Sequence, residues 1–190
     1  MKTKFYTFSL LLALSLSAQA ALYPFSGPFN NNGGAGDNII PDNSGIGLSD
    51  AHTLSGLGIS LSSVTLSLTL QNGLGTDLSG YLRLGNTMSS PSYDLTSFLG
   101  SLTLSGTPTP YTLNVSSAFG GYDPNDTWTL FLADGVPLDV TLLSAWSLDI
   151  TAVPEPTNVA LGIFASGAVL VLAIRERKKI RQLWSADAKV

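Results

Sequence analysis

The chain has 190 residues with one His and no Cys, and its formal net charge is −4 at pH 7. Residues 21–152 hold ten Asp, no Glu and a single base, Arg83, so this stretch alone carries a net charge of −9. Nucleic-acid binding is excluded because it needs clustered Lys and Arg, and the lack of Cys excludes disulfides, Cys-ligated zinc and thiol nucleophiles.

Residues 1–20, MKTKFYTFSLLLALSLSAQA, have the composition of a secretory signal peptide. Lys2 and Lys4 give a charged start, Leu10 to Leu16 form an apolar core, and Ala18-Gln19-Ala20 supplies the small residues of a cleavage site. We therefore expect cleavage before Ala21 and export of the remainder.

Residues 21–152 alternate apolar and polar side chains with a period of two, which is typical of half-buried antiparallel strands. The clearest strands are predicted at 64–70, 127–134 and 145–150, and shorter ones at 80–85, 101–106 and 111–116. The residues expected to face inward are Val64, Leu66, Leu68, Leu70, Leu82, Leu84, Trp128, Leu130, Leu132, Trp146, Leu148 and Ile150.

Turn-forming sequences separate these strands, and no stretch of the domain has an apolar period of 3.6 residues. Clusters of Asn, Asp, Pro and Gly favour turns at 30–34, 41–45, 71–73 and 123–126. Short strands with no helices between them predict an all-β fold, a jelly-roll-like antiparallel β-sandwich.

Four blocks in this domain, NIIPDNSGIGLSD, ISLSSVTLSLTL, DLSGYLRLG and GGYDPNDTWTLFLADGVPLDVTLLSAWSLDI, occur in order between about residues 39 and 151. Together they resemble the P domain (Homo B domain) of the proprotein convertases and their bacterial relatives. The resemblance implies the β-sandwich fold. The support that this domain gives to a neighbouring protease in that family is not carried over to this chain.

The C-terminal segment, residues 153–184, combines three features in a fixed order. Val153-Pro154-Glu155-Pro156 favours a rigid, extended backbone. The apolar run 157–174 would reach about 27 Å as a helix, which is just enough to cross a bilayer core. Five basic residues follow the apolar run and predict that this end of it stays on the cytoplasmic side of the membrane. They are Arg175, Arg177, Lys178, Lys179 and Arg181. Residues 185–190 form a short tail.

This order resembles the PEP-CTERM sorting signal of Gram-negative bacteria. The resemblance implies recognition of Pro154, Glu155 and Pro156 by an exosortase, removal of the membrane helix, and transfer to the cell surface or the exopolysaccharide matrix. A plain single-pass anchor beside a chance pair of prolines is the alternative interpretation.

No residue of the domain is assigned a catalytic role. His52, the only histidine, is expected in a Ser- and Asp-rich loop without a nucleophile motif, where it would have a solvated or capping role. Ca²⁺ is left open, since it takes oxygen ligands from acidic loops. The sequence offers two acidic groups for it, neither with EF-hand spacing: Asp37, Asp42, Asn43 and Asp50; and Asp123, Asn125 and Asp126. Turn capping is the favoured interpretation of both, and no metal ligand is assigned.

The sequence as a whole predicts an exported protein of the cell surface or matrix with a structural or binding role and no enzymatic activity. One alternative is a carbohydrate- or Ca²⁺-binding module of the matrix, in which Tyr81, Tyr93, Tyr111 or Tyr122 could stack on sugars. The other is a small hydrolase that uses Asp carboxylates.

Overall fold

The computed structural model describes residues 19–29 and 38–154, together with residues 164, 165, 167–169, 171, 172, 174 and 175. One compact unit spans Ala18–Pro154. The predicted signal peptide lies outside the described residues except for Gln19 and Ala20. These two residues belong to the first strand, β1, and pair with Ala152 and Thr151.

Two four-stranded antiparallel sheets make up this unit. The first has the order β1 (Gln19–Ser26), β8 (Leu142–Val153), β3 (Ser60–Gln71) and β6 (Thr109–Asn114). The second has the order β2 (Ser44–Thr53), β7 (Thr127–Asp134), β4 (Leu78–Leu84) and β5 (Ser92–Asp94). Early and late strands interleave in both sheets, as in double-sheet jelly rolls. The predicted all-β sandwich is confirmed.

The inward-facing rows predicted from the sequence are also confirmed. Within the first sheet, Val64 pairs with Ile150, Leu66 with Leu148, and Leu68 with Trp146. All twelve residues predicted to face inward are at most 4% exposed. The alternation arises because each sheet has one face in the core, where burying an apolar side chain contributes about 1.5–3 kcal/mol.

Two local predictions are wrong. Residues 101–106 do not form a strand, although Leu102 and Leu104 are partly buried against the core. Alternating apolar and polar residues indicate that one face of a segment is buried, whereas a strand also needs backbone hydrogen bonds to a neighbouring strand. The expectation of no helices fails at two short ones, α1 (Thr96–Gly100) and α2 (Ser116–Phe119). Helices of one turn are too short to show a 3.6-residue period.

The sorting signal is described in part. Pro154 follows the end of β8, while Glu155, Pro156 and every base of the basic cluster except Arg175 lie outside the described residues. The described positions between 164 and 175 are helical and exposed. Among the described residues, no helix has both the length and the apolarity needed to cross a membrane.

Candidate functional site

Three carboxylates from distant parts of the chain meet at one end of the sandwich. Asp42 lies in the turn before β2, Asp134 is the last residue of β7, and Asp139 lies in the loop between β7 and β8. One oxygen from each side chain lies within 4.8 Å of an oxygen of each of the others. We call this group the Asp42 cluster.

Asp134 is inside the protein because of its position on the strand. Trp128, Leu130 and Leu132 face the core from β7, and Asp134 continues the same alternating row, so its side chain is 0% exposed. Its Oδ1 accepts a hydrogen bond from the backbone N–H of Val136 at 3.2 Å. Its Oδ2 is shielded from solvent and has no hydrogen-bond partner among the described residues.

The surroundings of Asp134 disfavour its charged form. Burial raises the pKa of its carboxyl above the ordinary value of 3.8, and the hydrogen bond from Val136 opposes this. The negative charges of Asp139, Asp42 and Asp77 raise that pKa further. A buried carboxylate ordinarily has a cation or several donors beside it, because desolvation is otherwise uncompensated.

Asp139 and Asp42 complete the cluster from two loops. Both carboxylate oxygens of Asp139 are shielded from solvent, and within 19–29 and 38–154 neither has a hydrogen-bond partner. Asp42 Oδ2 accepts a hydrogen bond from the backbone N–H of Leu138 at 3.3 Å.

Arg83, the only Lys or Arg in residues 21–152, is distant from the Asp42 cluster. Asp134 pairs with Leu78 on β4, and Arg83 lies five residues further along that strand, which corresponds to about 17 Å.

A buried hydroxyl lies two residues after Asp139. Thr141 is 0% exposed, and its Oγ1 has no hydrogen-bond partner in the described part of the chain. This oxygen lies where a Cβ on Gly73 would be, and Gly73 has a φ of +71°. The predicted turn at residues 71–73 therefore needs glycine for two reasons, its backbone conformation and the close approach of Thr141.

The second acidic group predicted from the sequence is a hydrogen-bonded turn. Asp123 Oδ1 accepts from the backbone N–H of Asn125 at 2.9 Å and from its side-chain amide at 2.7 Å. Asn125 in turn accepts from the backbone N–H of Leu57 at 2.8 Å and donates to the carbonyl of Gly58 at 3.1 Å. These contacts join two loops and agree with the turn-capping interpretation.

The first predicted group does not come together. Asp37 lies outside the described residues, and Asp42 joins Asp134 and Asp139 instead of Asp50. Asp50 Oδ2 accepts from Trp146 Nε1 at 2.7 Å and lies 2.7 Å from His52 Nε2.

His52 lies in strand β2, so its expected location in a loop is wrong. Its ring stacks on Phe25 with a centroid separation of 4.0 Å, and its side chain is 37% exposed. Its Nε2 contacts Asp50, as described above. This arrangement leaves His52 packed at the edge between the two sheets.

A different set of side chains lies on the outer face of the second sheet. Tyr81 stacks on Phe131 with ring centroids 5.1 Å apart, and the guanidinium carbon of Arg83 lies 4.5 Å from the centre of the Tyr81 ring. Arg83 has no salt bridge to a described acidic residue. All three side chains are partly exposed. Of the other tyrosines, Tyr111 donates to the carbonyl of Thr103 at 2.7 Å, and Tyr122 is 50% exposed.

The sequence contained one signal for the Asp42 cluster that local grouping missed. In TWTLFLAD, the alternation that buries Trp128, Leu130 and Leu132 also places Asp134 on the inward row. An acid at an inward position is the informative feature, because charged residues are rarely fully buried without a partner. Its meeting with Asp42 and Asp139 depends on the tertiary fold.

Neither a protein-family model nor a curated protein matches this chain. Among solved structures, a chain in the complex of Aeromonas sobria serine protease with its chaperone is 14% identical, with a TM-score of 0.46; the match covers 72% of this chain and 27% of that one. The CBM36-1 domain of a multidomain xylanase from the hindgut metagenome of Trinervitermes trinervoides is 10% identical, with a TM-score of 0.30, covering 68% and 96%. At these TM-scores, neither match bears on function.

Proposed function

We propose that this is an exported protein of the cell surface or exopolysaccharide matrix, processed by an exosortase, with a structural or binding role. The observation that carries the proposal is the position of the sandwich along the chain. Its strands run from Gln19 to Val153, so apart from Gln19 and Ala20, the last two residues of the predicted signal peptide, the folded unit fills the interval between that peptide and the Pro154-Glu155-Pro156 segment.

The C-terminal segment supports the same proposal. Described positions in the apolar run are helical, and they expose Phe164, Val169, Val171, Leu172 and Ile174 by 48% to 76%. Exposed apolar side chains on a helical backbone suit a lipid environment better than water. Arg175 follows directly, as a base does at the cytoplasmic end of a membrane segment.

A structural or binding role fits the described side chains better than hydrolysis does. The only histidine is packed against Phe25 and hydrogen-bonded to Asp50. The carboxylates of the Asp42 cluster have ligand oxygens within 4.8 Å of one another. A glycosidase needs two carboxyl groups that a sugar can reach, whereas Asp134 and both oxygens of Asp139 are shielded from solvent.

The test is the intact mass of the mature protein from cells with and without the exosortase. We expect a species that lacks residues 1–20 and ends near Pro156 only when the enzyme is present. A Glu155→Ala variant should keep its C-terminal segment, and a Glu176→Ala variant serves as the matched control outside the tripeptide. A mass that includes Arg175 to Val190 in every strain would make the segment a plain anchor and would refute release to the matrix.

Carbohydrate binding is a second candidate, favoured by the stacked Tyr81 and Phe131 with Arg83 beside them on an outer sheet face. Aromatic rings bind the apolar faces of sugars, and an unpaired guanidinium suits acidic ones. We expect the protein to co-sediment with the cells' own exopolysaccharide, and Tyr81→Ala to weaken this. Tyr122→Ala, at an exposed tyrosine elsewhere, should not. Equal binding by both variants would exclude this face.

A further inference from the structure

We propose that Asp42, Asp134 and Asp139 bind one Ca²⁺ ion at the end of the sandwich, where the loop between β7 and β8 meets the turn before β2. This inference does not depend on the proposed export and processing. The sequence offers Asp42 for Ca²⁺ only together with other residues, and it indicates no role for Asp134 or Asp139.

The distances within the cluster fit one ion. Ca²⁺ binds oxygen at about 2.3–2.6 Å, so two ligands of the same ion are separated by up to about 5 Å. The three carboxylate oxygens lie within 4.8 Å of one another. Three oxygens at this limit would each lie about 2.8 Å from a common centre, so small rotations of the side chains would bring all three to the Ca–O distance.

A second observation separates this cluster from ordinary surface acids. Asp134 is 0% exposed and contributes one carboxylate oxygen to the group, and its Oδ2 has no described hydrogen-bond partner. Both oxygens of Asp139 are likewise shielded and unpartnered within the described ranges. Buried carboxylate oxygens nearly always have a hydrogen-bond donor or a metal, and neither Lys nor Arg occurs in the domain apart from Arg83.

The ligand chemistry selects calcium over other common cations. The cluster offers only oxygens, whereas structural zinc sites use Cys and His, and the chain has no Cys. Its single His is hydrogen-bonded to Asp50 at another place. Both oxygens of Asp139 are unpartnered, which suits the bidentate carboxylate that Ca²⁺ accepts, whereas Mg²⁺ requires near-ideal octahedral geometry.

The bound ion would join three parts of the chain that no described salt bridge connects. It would link the turn at Asp42 to the end of β7 and to the following loop, and so hold the entry of β2 against the exit of β7. Asp42 already accepts a hydrogen bond from Leu138 in that loop.

The test is calcium binding by the protein as purified from cells, stripped with EDTA and titrated calorimetrically with CaCl₂ or MgCl₂. We expect one Ca²⁺ per chain with a dissociation constant of about 10⁻⁴ to 10⁻³ M, the range of extracellular calcium modules. Mg²⁺ should bind at least about tenfold more weakly, because the site cannot impose octahedral geometry. No heat and no shift in melting temperature with 10 mM CaCl₂, about ten times the weakest expected dissociation constant, would overturn the proposal.

Variants that replace single Asp residues by Asn, which has the same shape but no charge, locate the calcium ion. Asp139→Asn, in a loop, should weaken calcium binding at least about tenfold, because affinity follows the number of charged ligands. Asp126→Asn makes the same change in the other acidic group and should bind calcium like the wild type. Asp134→Asn should fold, since it removes a buried charge, and should no longer gain melting temperature from calcium. Unchanged binding in both Asp139→Asn and Asp134→Asn would place the ion elsewhere and refute the site.

Discussion

The domain has two acidic groups that look alike in the sequence and differ in the structure. In the turn at Asp123 and Asn125, Asp123 Oδ1 and both the oxygen and the nitrogen of the Asn125 amide have hydrogen-bond partners, including the backbone of Leu57 and Gly58. In the Asp42 cluster, Asp134 Oδ2 and both oxygens of Asp139 have none among the described residues. The first group is held by hydrogen bonds within the chain, whereas the second leaves buried carboxylate oxygens that the proposed Ca²⁺ would bind.

The comparison shows that the density of acids is a poor indicator of a ligand site. Asp, Asn and Gly gather in turns because their side chains hydrogen-bond nearby backbone groups. What distinguishes a binding site is a polar atom that the protein buries and leaves without a partner. Whether a buried polar atom has a partner can be judged only from three-dimensional contacts. Those contacts group Asp42 with Asp134 and Asp139, whereas proximity in the sequence groups it with Asp50.

The largest expected effect comes from breaking the satisfied group. Asn125→Ala removes the acceptor for the backbone N–H of Leu57 and the donor to the carbonyl of Gly58. We expect the free energy of unfolding to fall by about 2–3 kcal/mol, since the partly buried N–H is left unpaired. Urea unfolding measures this, and the loss should be the same in EDTA and in calcium.

Asn114→Ala is the matched control for that measurement. Asn114 is exposed, and its Oδ1 accepts one hydrogen bond from the backbone N–H of Ser116 at 3.0 Å. Its removal should cost about 1 kcal/mol, as for other capping residues. If calcium restored the free energy of unfolding that Asn125→Ala loses, the claim that only the Asp42 cluster binds calcium would be wrong.

Five of the eight described strands, β3, β4, β6, β7 and β8, could be predicted from the sequence because burial acts on each residue separately, whereas β1, β2 and β5 were not predicted. Leu66 and Leu148 alternate with polar neighbours on their own strands, and no knowledge of their pairing is needed to see it. The Asp42 cluster could not be predicted, because Asp42 and Asp134 meet only through the register of β2 and β7. Asp50 is near Asp42 in sequence, yet it lies six residues beyond Ser44, the first residue of β2, which corresponds to about 20 Å of strand. The inward position of Asp134 was the one local clue.

An intermediate effect is expected when the calcium-free protein is examined against pH. Burial and the charges of Asp139, Asp42 and Asp77 raise the pKa of Asp134 in the folded state above 3.8. The folded state therefore binds more protons than the unfolded state between 3.8 and the raised pKa, and stability falls as the pH rises through this window. A tenfold difference in proton affinity between the folded and unfolded states corresponds to about 1.4 kcal/mol.

The measurement is urea unfolding in EDTA at pH values from 4 to 7, with Asp134→Asn as the control that lacks this titration. The hydrogen bonds from Thr96 lower the pKa of Asp94 below 3.8. The contribution of Asp94 to the free energy of unfolding is therefore lost only at a pH below the window in which Asp134 titrates. Calcium should remove the fall by competing with the proton. A fall of the same size in Asp134→Asn would assign the pH dependence to another group.

The smallest expected effect concerns the loop that carries Asp139. Leu138 is 97% exposed and has a φ of +99°, a conformation that costs a β-carbon-bearing residue about 1 kcal/mol or more and that glycine adopts freely. Leu138→Gly should therefore raise the free energy of unfolding in EDTA by about 0.5 kcal/mol, the relief of strain being partly offset by the entropy of glycine in the unfolded chain. Val136→Gly, in the same loop but without a positive φ, should lower the free energy of unfolding by a similar amount.

The same Leu138→Gly variant retains the backbone N–H that donates to Asp42, so its calcium affinity should stay within about twofold of the wild type, which is less than about 0.5 kcal/mol. A large loss of affinity would mean that the strained backbone itself holds Asp139 in place, and the site would then depend on the loop conformation as well as on its three carboxylates.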